Sequence, residues 1–193
     1  MTIEELDSKL EGGTETQTFE VKGPCDWNVK SFAKDILAMA NVQEGGDIII
    51  GIENGSFARS GVSPAHKASY NLETMKDQMA AYADPHVNFT TGTSPDAVNN
   101  KEYIFIRVYP FDDIPVICKI ENEDVHRGIV YYRNKNRRVE SAPVSNSYDM
   151  RDIITTAAVK MKQRLRQAGL VAADVVDVAA QTKKKLDDEL DGL

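Results

Sequence analysis

Residues 36–54, ILAMANVQEGGDIIIGIEN, decide the fold, because a helical repeat gives way there to a strand within a few residues. Apolar residues recur at intervals of three and four through residues 29–40, which predicts a helix with one buried face. Residues 41–46 are typical of a turn, and the isoleucine-rich run at 47–52 predicts a strand that is buried on both faces. Residues 53–55 give a turn signal at the end of that strand.

Four residues of this block suggest how the junction between helix and strand is built. Gly45 and Gly46 allow a tight turn with positive φ. Gly51 would let a neighbouring backbone or a ligand come close. Asn41 could fix the turn through its side chain. The alternative is that all four only hold the junction together and take no part in binding.

The remaining elements extend outward from this block on both sides. Upstream, we expect a capped helix at 2–10, with Thr2 as its cap, and a strand at 18–22. Downstream, residues 56–69 and 94–101 read as loops. The other downstream predictions are a helix at 72–83, strands at 87–91, 102–109, 116–120 and 128–133, an extended edge at 138–142, and helices at 147–165 and 171–190.

This order predicts an α/β (α+β) domain, a mixed sheet with packed helices, at residues 1–168, followed by a helical extension at 169–193. The terminal stripe of apolar residues must pack on the core or on a second copy. We therefore expect a homodimer or other homo-oligomer formed through this extension.

The composition of the chain limits the kinds of protein that it can be. The chain has 193 residues, 41% of them apolar, which is enough for a real core. Its formal net charge of −7 argues against indiscriminate coating of DNA but permits a local basic patch. Cys25 and Cys118 form no metal-binding pattern with the three histidines. Because no signal peptide or membrane span is visible, we expect a cytoplasmic protein without a membrane partner.

Three segments together resemble the Schlafen-type AlbA family. Residues 15–22, ETQTFEVK, are similar to its opening E-x-x-x-x-E-[FV]-K strand. The block at 36–54 is similar to its AFANT-x-GG segment and the apolar strand that follows. Residues 131–141, YYRNKNRRVES, are similar to its YYVR-x-G-S element. The resemblance covers residues 2–165 and implies a DNA-binding, or sometimes nucleotide-binding, domain of the kind found in bacterial transcriptional regulators.

Acidic residues suggest a second, catalytic reading. If the first strand and the isoleucine strand are neighbours, Glu15, Glu20 and Glu53 could converge, bind Mg²⁺ or Mn²⁺ and activate water for phosphodiester cleavage. In the nuclease branch of the family, the resemblance implies two such glutamates and an aspartate whose position falls on Asn54. A neutral Asn54 lowers the negative charge of the site, so cleavage is in doubt. The alternative is that Glu15 and Glu20 are solvated charges or partners of nearby cations.

The basic residues support the leading hypothesis, which is that the protein binds nucleic acid. Lys22 shares a strand face with Glu20 and could contact a phosphate. A basic hairpin with Tyr131 and Tyr132 at its base suits phosphate contact and base stacking. Its expected phosphate-binding residues are Arg133, Lys135, Arg137 and Arg138. The alternative is an ordinary solvated turn whose tyrosines pack in the core.

Three functions therefore stay open. The first is a nucleic-acid-binding module, with DNA or RNA as partner and no cofactor required. The second is a metal-dependent endoribonuclease that uses Glu15, Glu20 and Glu53 or Asn54 with Mg²⁺ or Mn²⁺. The third is a nucleotide-binding or assembly protein without nucleic acid, although no GxxxxGK[ST] phosphate loop is present.

Overall fold

The computed structural model describes residues 1–134 and 139–170. The helices of that part of the chain are α1 (Ile3–Leu10), α2 (Val29–Ala40), α3 (Pro64–Ser69), α4 (Leu72–Ala80) and α5 (Ser147–Gln167). Its strands are β1 (Phe19–Lys22), β2 (Gly46–Ile50), β3 (Ala83–Asp84), β4 (Phe89–Asp96), β5 (Lys101–Val108), β6 (Ile117–Cys118), β7 (Tyr131–Arg133) and β8 (Ser141–Pro143).

The main sheet has four strands in the order β1-β2-β5-β4. β1 runs parallel to β2, whereas β5 is antiparallel to both of its neighbours. Two short ladders, β3 with β6 and β7 with β8, complete the strand pairing of the described residues. This mixed sheet with packed helices confirms the predicted α+β class, and it leaves β1 as an edge strand.

The central strand β2 is buried on both faces, as the isoleucine run predicted. Ile48 and Ile50 belong to the larger core cluster, which includes most of the buried face of α2. Ile49 belongs to a second cluster on the opposite face, where Leu6 of α1 covers the sheet. Because side chains alternate along a strand, helices on both sides are needed to bury such a run.

Local capping explains where the helices begin. Thr2 forms the predicted capping box with Glu5 at the start of α1. The side chains of Asn28 and Asn71 accept hydrogen bonds from the first turns of α2 and α4. Asn146 caps α5, which begins at Ser147, the first residue of the helix predicted from the sequence.

The turn between α2 and β2 depends on glycine at one position. Gly45 has φ of +72°, and an added Cβ would lie 2.1 Å from the carbonyl oxygen of Val108. Gly46 does not adopt positive φ, contrary to the sequence expectation, and it packs against Met39. Gly51 has φ of +106° and lies against the backbone of Gly61, so the close neighbour is backbone.

Asn41 has a wider role than holding its own turn. Its amide group donates to the carbonyl oxygens of Leu37, Val116 and Tyr131, and its side-chain oxygen accepts from the Val116 amide at 2.8 Å. The side chain therefore joins the end of α2 to two segments that lie far away in sequence. The Asn41 side chain is 1% exposed, so protein groups must make the hydrogen bonds that water would make to an exposed amide.

Two predicted loops contain regular structure. Residues 56–69 include α3, which the sequence pattern missed because its six residues have no buried face. Residues 94–96 belong to β4, since Ser94, Pro95 and Asp96 pair with β5 as far as Lys101. Both misreadings follow from polar composition, which is common to loops and to exposed short elements.

The long helix α5 packs on the core through one side. Ile153 is its buried residue, and Arg164 forms an ion pair with Asp113 of the loop that follows β5. Gly169, with φ of +71°, ends the helix. Residues 171–193 of the predicted extension lie outside the described residues, so the domain boundary and the oligomer predicted from it stay predictions. Within the described residues, no helix is both long and apolar enough to cross a membrane.

Candidate functional site

An open cavity of about 400 Å³ lies beside the edge strand β1. It brings together residues from β1, from the first half of α2, from the turn after β2 and from the start of β8. The lining residues are Glu15, Glu20, Lys22, Ser31, Lys34, Asp35, Asn54, Val139, Glu140 and Ser141. Glu15, Glu20, Lys22 and Asn54 of this set were candidate site residues on sequence grounds.

Arg133 lies behind this cavity and is fully buried, with 0% exposure. Its guanidinium forms an ion pair with Glu20. It also donates to the carbonyl oxygens of Thr16 and Phe19, at 3.0 and 3.2 Å. These oxygens lie on the free edge of β1, so Arg133 satisfies edge groups that have no partner strand. The expected phosphate contact by Arg133 is therefore wrong, because no ligand can reach its side chain.

Glu15 also completes the edge of β1. Its carboxylate accepts a hydrogen bond from the Val21 amide at 3.1 Å. Val21 lies on a strand whose other side already pairs with β2, so this amide needs a partner from outside the sheet. The side chain nevertheless lines the cavity, where its carboxylate adds negative charge.

Lys22 is held by two carboxylates. Its ammonium lies 2.7 Å from Asp35 and 3.6 Å from Glu20, and 5.4 Å from the centre of the Phe32 ring. Burial lowers the pKa of Lys22, but the attraction of Asp35 and Glu20 outweighs that effect and leaves the pKa above its ordinary value. The Lys22 charge is thus largely compensated from within the protein.

Glu20 stands between the two cations of this network. Burial, followed by the repulsion of Asp35, raises the pKa of Glu20, and the attraction of Arg133 and Lys22 offsets only part of that rise. Arg133, Glu20, Lys22 and Asp35 therefore alternate in charge from β7 through β1 to α2. The predicted catalytic carboxylate of Glu20 is already committed to this chain of contacts.

The end of β2 places Glu53 and Asn54 differently. The Glu53 carboxylate accepts from the Ser60 hydroxyl at 2.6 Å and lies against Gly23, and Glu53 is not among the lining residues of the cavity. The expected convergence of Glu53 with Glu15 and Glu20 is therefore wrong, whereas Asn54 does line the cavity with them. Across residues 1–134 and 139–170, no group of three or more His, Cys, Asp or Glu side chains is arranged to hold a metal ion.

Sequence reasoning missed the contribution of α2. Asp35 was not among the residues predicted to belong to the site, but it lines the cavity and is only 7% exposed. Ala38 and Met39 lie three and four positions further on and are also buried, so the buried arc of α2 is wider than one stripe. That apolar pair was the available signal that Asp35 lies inside the fold.

The basic hairpin is only partly described. Lys135, Arg137 and Arg138 lie outside the described residues. Both tyrosines at its base are buried: Tyr131 in the main core and Tyr132 against Val42 and Ile153 under α5. Neither ring is therefore free to stack on a base, because the main core covers Tyr131 and α5 covers the second face of β7.

Two cations of α5, Lys160 and Arg164, are also engaged with the protein. Lys160 donates to the carbonyl oxygen of Phe111 and lies over its ring, and Arg164 pairs with Asp113. These side chains attach the helix to the loop that follows β5. They are therefore not a free basic face.

These features define a class of protein, an α+β domain with a mixed sheet. The Arg133–Glu20 ion pair lies at the edge strand β1, and a cavity lined by charged residues lies beside it. The Schlafen, AlbA_2 family model matches residues 15–142, which is about two thirds of the chain. The chain therefore belongs to the Schlafen AlbA_2 family. Membership in this family points to a nucleic-acid-related function.

Comparison with solved structures and curated proteins adds little to the family match. The DIP2311 protein from Corynebacterium diphtheriae is similar over 78% of this chain, with 15% sequence identity and a TM-score of 0.47. The matched region covers 28% of that chain, so this chain spans less than a third of its length. No curated protein matches.

Proposed function

We propose that this domain binds nucleic acid through phosphate contacts made at the cavity beside β1 and by the basic segment Lys135, Arg137 and Arg138. The observation that carries the proposal is the position of Val139, Glu140 and Ser141, which line the cavity and directly follow that basic segment in sequence. Lys34 of α2 adds an ammonium group to the lining, whereas the Lys22 ammonium is paired with Asp35 and Glu20. A regulatory, DNA-binding role is the form of this function that the family resemblance favours.

The charge balance of the protein sets the kind of binding expected. With a net charge of −7, the protein as a whole repels polyanions, so association must depend on a small number of local contacts. Such contacts release counterions, and the affinity falls as salt rises. We therefore expect measurable affinity at low ionic strength that decreases steeply with added salt.

The direct test is fluorescence anisotropy with labelled single-stranded DNA, duplex DNA and RNA of one sequence over a range of salt concentrations. We expect Arg137→Ala with Arg138→Ala to weaken binding while the free energy of unfolding stays unchanged. A matched control, Lys76→Ala with Arg151→Ala, removes the same charge from exposed positions outside the cavity. Absence of binding to every nucleic acid at every salt concentration would refute the proposal.

A second candidate function, metal-dependent RNA cleavage, is favoured by one observation: Glu15, Glu20 and Asn54 line the same cavity. The ion pair between Glu20 and Arg133 opposes it, since a metal would have to compete with a buried guanidinium. The test is incubation of tRNA with Mn²⁺ or Mg²⁺, with wild type and Glu20→Gln compared side by side. Equal cleavage by the two proteins excludes Glu20 as a metal ligand.

A further inference from the structure

Three hydrogen-bond donors of the cavity lining have no partner among the described residues. The ammonium of Lys34, the hydroxyl of Ser31 and the side-chain amide of Asn54 have no hydrogen bond or ion pair to any residue of 1–134 or 139–170. Glu15, Glu20, Lys22 and Asp35 all have such partners. The uncommitted donors are thus one cation and two neutral groups, a set that suits an anionic oxygen group, and the exposed carboxylate of Glu140 is likewise unpaired within the described residues.

The fold places these three groups around one space. Ser31 and Lys34 are three positions apart on α2, so they project from neighbouring positions on one side of the helix. Asn54 comes from the turn after β2, and all three line the cavity beside β1. One helix, with two side chains, and one turn, with a third, therefore contribute to a single small volume.

The surrounding charges limit what can bind there. Asp35 compensates Lys22, and Glu20 compensates the buried Arg133, which leaves Lys34 as the uncompensated cation among the described lining residues. Glu15 and Glu140 add negative charge at the same cavity. A run of several phosphates would be repelled by these carboxylates, whereas a single phosphate could be held between Lys34 and the two neutral donors.

We propose that Lys34, Ser31 and Asn54 form a seat for one backbone phosphate of the bound nucleic acid. The inference rests on the proposed function and deepens it, because it assigns the contact to α2 and to the turn after β2 and not to Lys22 or Arg133. It also predicts that this cavity binds one phosphate and that binding there releases about one counterion from the nucleic acid.

The test uses the salt dependence of affinity, which counts phosphate contacts by cations. Full-length wild type, Lys34→Gln, Lys34→Arg and the matched control Lys76→Gln are titrated with the same labelled oligonucleotide at several salt concentrations. Lys34→Gln is expected to weaken binding about ten-fold at low salt. It should also reduce the slope of log affinity against log salt by about 0.7 for a single strand or about 0.9 for duplex DNA. Lys34→Arg should restore the slope, and Lys76→Gln should change neither quantity.

A second variant separates the neutral donors from the cation. Ser31→Ala with Asn54→Ala removes two hydrogen-bond donors and no charge. We expect weaker binding with an unchanged salt slope, because counterion release depends on charge alone. Competition by inorganic phosphate distinguishes a free-phosphate site from a backbone-phosphate site: strong competition would overturn the assignment to the backbone.

The outcomes distinguish the two proposals. If wild type binds and Lys34→Gln has the wild-type slope, the phosphate seat is wrong while nucleic-acid binding stands. If wild type binds no nucleic acid at any salt concentration, both proposals fail. Circular dichroism and urea unfolding of each variant ensure that a loss of binding is not a loss of folding.

Discussion

At the scale of single residues, the contact between Arg133 and Glu20 is the one on which the sheet edge depends most. Removing one member of a buried ion pair leaves the other charge without compensation, which costs about 3–5 kcal/mol. Arg133→Met also removes one of the hydrogen bonds that the carbonyl oxygens of Thr16 and Phe19 accept. We therefore expect Arg133→Met to lower the free energy of unfolding by about that amount in urea titrations.

The matched control for this prediction is Arg127→Met. Arg127 is exposed, and only its backbone amide bonds Glu121, so the substitution should change stability by less than about 0.5 kcal/mol. The double variant Glu20→Met with Arg133→Met should recover part of the loss, because neither charge is then left buried alone. Equal losses for Arg133→Met and Arg127→Met would contradict the buried role.

At the scale of elements, the turn from α2 to β2 is set by Gly45. Gly45 and Gly55 both have positive φ, but an added Cβ meets Val108 only at Gly45 and meets nothing within 4 Å at Gly55. Alanine at Gly55 should cost about 1–2 kcal/mol from backbone strain alone. Alanine at Gly45 should cost a further ~1–3 kcal/mol from the steric clash, measured by urea unfolding of the two variants. Equal costs would show that the close approach to Val108 relaxes freely.

The side chain of Asn41 connects the end of α2 to Val116 and Tyr131, which do not belong to the main sheet. Asn41→Ala leaves the buried Val116 amide without its acceptor, which costs about 1–3 kcal/mol for that group alone. We expect a loss of at least ~2 kcal/mol in urea unfolding. Asn88→Ala, at an exposed asparagine whose side chain makes no hydrogen bond within the described residues, should change stability by less than about 0.5 kcal/mol. A similar loss at both positions would contradict this role.

At the scale of the whole molecule, local patterns were predictable and long-range pairings were not. The change from helical to strand periodicity at 36–54 needs only neighbouring residues, so it gave α2 and β2 nearly in full. The pairing of Arg133 with Glu20 spans 113 positions and depends on β7 packing beside the edge of β1. Composition cannot distinguish such a buried arginine from a phosphate-binding one, because both occur beside strands with aromatic neighbours.

The ion pairs of the described residues could not be predicted for the same reason. Among the described residues, Arg107 pairs with Asp47, Arg59 with Asp7, and Lys67 with Glu102. A sequence reports how many cations a segment carries but not which of them have carboxylate partners after folding. Glu15, Glu20 and Asn54, which were chosen from the sequence, line one cavity, while the uncommitted Lys34 became visible only in the fold.

The response of the whole fold to alkaline pH follows from groups whose pKa rises on folding. Burial, and then the hydrogen bond to Cys25, raises the pKa of Tyr70, whose hydroxyl donates to the Cys25 carbonyl oxygen at 3.0 Å. Burial likewise raises the pKa of Tyr131, and the pKa of Lys22 is raised by its carboxylates against the effect of burial. Above the ordinary values of 10.0 for tyrosine and 10.5 for lysine, the unfolded chain binds fewer protons than the folded one. Stability should therefore be retained below pH ~10 and lost as pH rises further.

Tyr70→Phe tests this sign directly in urea unfolding between neutral and strongly alkaline pH. At neutral pH the variant should lose about 1 kcal/mol with its hydrogen bond. Above pH ~10 the unfolded wild type loses the Tyr70 proton, whereas the folded wild type retains it, so the free energy of unfolding of the wild type falls. The variant has no such proton and does not lose this part of its stability. The two stability curves should converge as pH rises, whereas Tyr148→Phe, at a side chain 79% exposed, should run parallel to wild type. Parallel curves for Tyr70→Phe as well would show that the buried hydroxyl does not link folding to pH.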